Sequence, residues 1–144
     1  MKNDSALFYT CSLIEYIGRE QKQRRSVVVQ KLGKDILKRI YRHADVFRCE
    51  VIAKVADDFI EMCSIAEGDY DNVSKCKYKV PDYWTVGEVY KRLIEDVAGE
   101  DVVAMLMDVY SSWISDSISN YNSDFYYQSR DYIKECYLAG EVLE

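Results

Sequence analysis

"VIAKVADDFIEMCSI", residues 51–65, is the stretch from which the fold class is read. Ile52, Val55, Ala56, Phe59, Ile60 and Cys63 recur at i, i+3, i+4, i+7, i+8 and i+11, which is one face of an α-helix. Asp57 and Asp58 fall between them as the polar face. Being adjacent, these two point about 100° apart, a poor geometry for a carboxylate pair that shares one site.

The same spacing extends in both directions. Upstream, a first helix is expected over about residues 5–17, carrying Leu7, Cys11, Leu13, Ile14 and Ile17, with Gly18 as its stop. Ser26 is a good N-cap for a short helix, "VVVQKL", that Gly33 ends, and Asp35 opens a third helix with Ile36, Leu37, Ile40, Tyr41 and Ala44. The β-branched run Val27-Val28-Val29 suits a strand as well, but it is brief and has no pairing partner. Downstream, residues 66–84 form one long irregular segment, the length of a packed Ω-like loop or a binding element.

Thr85 and Glu88 make a capping box, with Trp84 and Val89 placed for a hydrophobic staple, and Gly99 closes that fifth helix. Asp101 starts a sixth, with Leu106, Val109, Tyr110, Trp113 and Ile114 on its buried face. A seventh begins near Asn122 or Ser123 and aligns Phe125, Ser129, Tyr132, Ile133, Cys136 and Tyr137 before Gly140. No repeat of fixed period is present, so the expected architecture is an all-α bundle of about seven helices in one domain.

Composition agrees with a folded chain. Of 144 residues, 49% are hydrophobic and 31% charged, too apolar for a disordered protein. Nothing approaches the ~18–20 apolar residues of a bilayer span, so no membrane role is expected. "ALFYTCSLIEYI" is interrupted by Glu15 and lacks a small-residue cleavage pattern; it reads as a helix and not as a signal peptide. The expected location is the cytoplasm. The five cysteines form no CxxC pair, and Cys11, Cys63 and Cys136 sit on apolar stripes, which suits core packing in a reducing compartment.

Charge is strongly polarised. Residues 1–43 carry ten Lys or Arg against four acids, a balance of +6, and residues 44–144 carry nine against 21, a balance of -12. Either the basic segment faces the acidic remainder within the fold, or it forms a patch for an anionic partner. For the second case the candidates are Lys22, Arg24, Arg25, Lys34, Lys38, Arg39 and Arg42. A helix-turn-helix fits them poorly. Arg39 falls where an apolar residue would lock the second helix, and that helix lacks Asn, Gln, Ser or Thr to read base edges. Contact with a nucleic-acid backbone stays open as the alternative.

No motif for catalysis, a cofactor or a metal stands out. There is no Gly-rich phosphate loop, no Ser-His-Asp order and no HExxH. His43, the sole histidine, sits where it serves a helix C-terminus. "EGDYDN" alternates oxygen ligands but lacks the later Gly and terminal Glu of an EF-hand loop. A nonstandard active site in the long loop would need a pocket joining Asp69, Asp71 or Cys76 to charged groups elsewhere. Tyrosine is the richer signal. Tyr121, Tyr126 and Tyr127 lie near a helix junction, off the main stripe, and have the composition of a protein-binding patch.

Three segments, "FYTCSLIEYIGRE" (8–20), "RRSVVVQKLG" (24–33) and "KVADDFIE" (54–61), resemble a family of small uncharacterised bacterial proteins associated with mobile-element and toxin–antitoxin-like gene clusters. The likeness covers about residues 8–95 and carries no catalytic residue. It implies a non-enzymatic, antitoxin-like component that binds a partner protein. Its oligomeric state is left open.

Overall fold

The structure, a computed structural model, describes residues 4–144, so Lys2 lies outside it. The described residues form eight α-helices and one 3₁₀ turn and contain no strand. They are α1 (Ser5–Glu20), α2 (Arg25–Arg42), α3 (Ala44–Phe47), α4 (Ile52–Met62), α5 (Tyr83–Val97), α6 (Val102–Tyr110), α7 (Trp113–Ser119) and α8 (Arg130–Ala139). The 3₁₀ turn spans Phe125–Tyr127. The all-helical reading holds, and the Val27–Val29 run is helical.

Helix α1 is the centre. It is buried from Leu7 to Gly18 on nearly every side, with Phe8 and Tyr16 the half-exposed residues of that stretch. A helix apolar all round belongs inside a bundle, and α1 packs on α5 most extensively, then on α2 and α4. Its crossing with α5 is set by two small residues. A Cβ added at Gly87 would lie 2.4 Å from Ser12 Oγ and 2.9 Å from Ser12 Cα, so only glycine lets the backbones approach this closely. Around that contact, Tyr90 of α5 stacks on Tyr110 of α6 with centroids 4.0 Å apart.

Several boundaries fall where the sequence places them. Asp101 caps α6 by accepting from Ala104 N–H at 3.0 Å, and Gly140 ends α8 in the left-handed conformation. Gly33, at φ 78° and ψ 165°, breaks α2 into two helical segments, which lets α2 reach both α1 and α6. Other boundaries differ. Helix α1 runs through Gly18 to Glu20. Helix α5 starts at Tyr83 because Asp82, not Thr85, is its cap, accepting from Thr85 N–H at 2.7 Å. The expected sixth helix is two, since Ser112 caps a new one. Ser129 caps α8 and so leaves its buried stripe.

Residues 63–82 form a strap rather than a free loop. Gly68 N–H donates to Gln21 O and Tyr70 N–H to Lys22 O, both at 2.8 Å, and the Gln21 and Gln23 amides return bonds to Ile65 O and Ala66 O. The strap is thereby pinned along the corner between α1 and α2.

Candidate functional site

Two polar–aromatic constellations stand out, one inside and one on the surface. The interior one begins with Glu15, a carboxylate within the apolar run of α1 that is fully buried. Burying a lone charge is costly, so it must be paired. Arg25, the first residue of α2 and itself 1% exposed, donates through Nε and Nη2 to the two Glu15 oxygens at 3.0 and 2.9 Å. This is the forked geometry that guanidinium and carboxylate favour.

The rest of the cluster comes from distant segments. Arg19 Nε donates to Glu15 at 3.1 Å and its Nη2 to Pro81 O at 2.7 Å. Tyr121 donates its O–H to Glu15, Arg25 Nη2 donates to Asn72 Oδ1 at 3.1 Å, and Asn72 in turn donates to Ser119 O at 2.9 Å. The Arg25 stem lies against Gly18, where a Cβ would come within 2.4 Å of it. That is why Gly18 is a glycine without being a helix stop. Burial raises the Glu15 pKa, but the Arg25 and Arg19 cations and the Tyr121 bond outweigh it and hold the group at about 2. Tyr121 is raised, by burial first and then by the adjacent Glu15 carboxylate. The cluster is closed off by its own members and acts as a knot between α1, α2, the strap and the α7–α8 connection.

Arg25 and Tyr121 are therefore corrections. Both were expected at a partner surface, and both are interior groups with their polar atoms engaged. The other cations divide. Arg24 pairs with Asp116 at 2.7 Å and lies over the Tyr70 ring at 4.6 Å, and Lys34 pairs with Asp101 at 3.1 Å. Lys38 and Arg42 line a concavity shared with Glu100 and Asp101. Lys22 carries a positive φ of 50° and gives its carbonyl to the strap. Arg39 and Arg42 are exposed, and neither has an ion pair among the described residues. The basic segment thus faces the acidic remainder at some points and stands in water at others.

Cys11 and Cys136 are in the core and Cys63 packs against it, while Cys49 is exposed. Among the described residues no group of His, Cys, Asp and Glu is arranged to hold a metal ion, and no helix is long and apolar enough to cross a membrane. A cavity of about 360 Å³ does join Asp71 to Arg24, Lys75 and Asp116. Its carboxylates are already engaged, Asp116 by Arg24 and Asp71 by the Ser74 N–H at 3.0 Å.

The surface constellation is a groove of about 500 Å³ between α5 and the segment formed by the 3₁₀ turn and α8. Buried Leu93 and Ile133 form its base, joined by Phe8 and Val89. Trp84, Tyr126 and Tyr127 line it above them. Trp84 is 36% and Tyr127 67% exposed, a large aromatic area left in water. Tyr126 stands edge-on to both Tyr121 and Tyr127, at 5.9 and 5.0 Å, so these three tyrosines form one chain from the knot to the surface. Phe8 meets Trp84 at 5.4 Å. Charged groups rim the groove in pairs: Arg92 with Glu88 at 3.3 Å, and Arg130 with Asp96 at 2.8 Å.

Sequence reasoning found Tyr126 and Tyr127 but not Trp84 or Phe8 as their neighbours; the signal available was Trp84 at the very start of a helix, ahead of its buried stripe. No family model, curated protein or solved structure matches the chain.

Proposed function

We propose that this protein is a non-enzymatic interaction component that binds a partner protein through the groove between α5 and α8. One observation carries the reading: Trp84 and Tyr127 hold rigid aromatic surface in water, beside an apolar base and inside a rim of charged pairs. Binding energy at protein interfaces concentrates in such aromatic anchors ringed by polar groups. An antitoxin-like role belongs to the same proposal and is supported by the family resemblance alone. The test is affinity capture at native expression with the wild-type chain and a Trp84→Ala, Tyr127→Ser variant whose helicity is checked by circular dichroism. The wild type is expected to retain a stoichiometric partner that the variant loses. A partner held equally by both, or a chain that always purifies alone, would refute the reading.

A second reading, contact with a nucleic-acid backbone, is favoured by exposed Arg39 and Arg42 at the end of α2. It predicts duplex binding that falls steeply with salt and weakens in a Lys38→Ala, Arg39→Ala, Arg42→Ala variant. Affinity that salt leaves unmoved would eliminate it.

A further inference from the structure

The groove's hydrogen-bonding groups narrow down what can fill it. We infer that its occupant is a proline-rich, extended segment of the partner with a Lys or Arg placed beside Asp82; this rests on the groove being the protein-binding site. Three observations lead there.

The first is the donor set. Among the described residues, the Trp84 indole N–H and the Tyr126 and Tyr127 hydroxyls have no hydrogen-bond partner within the fold. A docked helix satisfies its own carbonyls and would cover these donors without pairing them, at a cost. A polyproline II segment makes no internal hydrogen bonds, so its carbonyls are available to accept from them. The second is the absence of an edge. An extended peptide can also bind by adding a strand, but the described residues contain no strand to extend. Flat aromatic faces are what remain, and they match pyrrolidine rings whose fixed φ lowers the ordering cost.

The third is charge. Glu88 is engaged by Lys91 and Arg92, and Arg130 is engaged by Glu95 and Asp96. Asp82 makes no ion pair among the described residues; its Oδ1 accepts from the Thr85 N–H at the Trp84 end of the groove, so its charge has no salt-bridge partner there. A single cation on the ligand completes it. The chain itself has one proline, Pro81, so a second copy cannot supply the segment.

The probes are a decaproline peptide with a terminal arginine, the same peptide with a terminal glutamate, and an amphipathic helical peptide of equal length. Calorimetry on the full chain should show the arginine form binding about tenfold tighter than the glutamate form. Asp82→Asn keeps a capping side chain but removes the charge, and should level the two. Tyr127→Phe keeps the ring and deletes the donor, and should weaken both several-fold. Failure of both proline peptides overturns the inference. If the helical peptide then binds and is lost in the Trp84→Ala, Tyr127→Ser variant, the groove remains a protein-binding site of another kind. If the captured partner also ignores that variant, the functional reading falls with it.

Discussion

The corner between α1 and α2 and the groove beside α5 are built from the same residue types, tyrosine and arginine, yet they differ in where those side chains find partners. At the corner, Arg25, Arg19 and Tyr121 converge on one carboxylate, Glu15, and exclude water from it. In the groove, Arg92 and Arg130 settle on neighbouring acids, and the ring faces of Trp84 and Tyr127 remain wet. The position of the buried acid is the difference. Glu15 lies in the apolar stretch of the central helix and draws basic and phenolic groups inward to neutralise it. Glu95, buried on α5, is met by Lys91 and by Arg130, whose side chain stays 36% exposed, and the phenols of the groove stay outside and can meet another molecule.

The sharpest way to break this contrast is to remove one member of the buried pair. Glu15→Gln or Arg25→Met should each cost about 3–5 kcal/mol in urea unfolding, because either leaves an uncompensated buried charge. The double change Glu15→Leu, Arg25→Met should recover most of that loss, since an apolar pair needs no neutralisation. Single variants no less stable than groove variants would show that the corner is not a structural knot. A smaller effect is expected at the α1–α5 crossing, where Gly87→Ala should cost about 1–3 kcal/mol by forcing Ser12 away.

Acid sharpens the same point. Glu15 binds its proton at about 2 in the fold and near 4.5 when unfolded. Its contribution is therefore complete above about pH 4.5 and is lost as the pH falls through about 2. Urea midpoints followed downward from neutral pH should drop across this window, and drop less in Glu15→Gln. The groove stands at the other end of the scale. Tyr127→Ser should change stability by less than about 0.5 kcal/mol while abolishing partner capture. Least of all, Lys34→Ala should leave the unfolding midpoint unmoved, because its pair with Asp101 is about half exposed on both sides.

How much of this was legible follows from what each signal measures. Apolar spacing reports burial on one helix, so the stripes of α4 and α5 and the break at Gly33 could be read directly. It does not report a gap that keeps phase. Leu106, Val109, Tyr110, Trp113 and Ile114 look continuous across Ser111-Ser112, and only the serines betray the end of α6. Gly18 resembles a terminator until Arg25 is seen against it, and that contact comes from the next helix. Charge segregation pointed to residues 19–42 but did not tell the inward Arg25 from the exposed Arg39 and Arg42. Glu15, a lone acid inside "SLIEYI", was the available clue to Arg25's inward role, but its other partners lie 57 and 106 positions away at Asn72, through Arg25, and at Tyr121.

Those separations impose an order on assembly. The α1–α2 pair can meet as soon as both helices exist, since Glu15 and Arg25 are ten positions apart. Their charges cannot lose water profitably until Asn72 and Tyr121 have arrived to cover them, and Tyr121 follows Glu15 by 106 positions. A nascent chain leaving the ribosome therefore carries this hairpin hydrated and loosely docked, and commits to its native packing late, as nearly one cooperative unit.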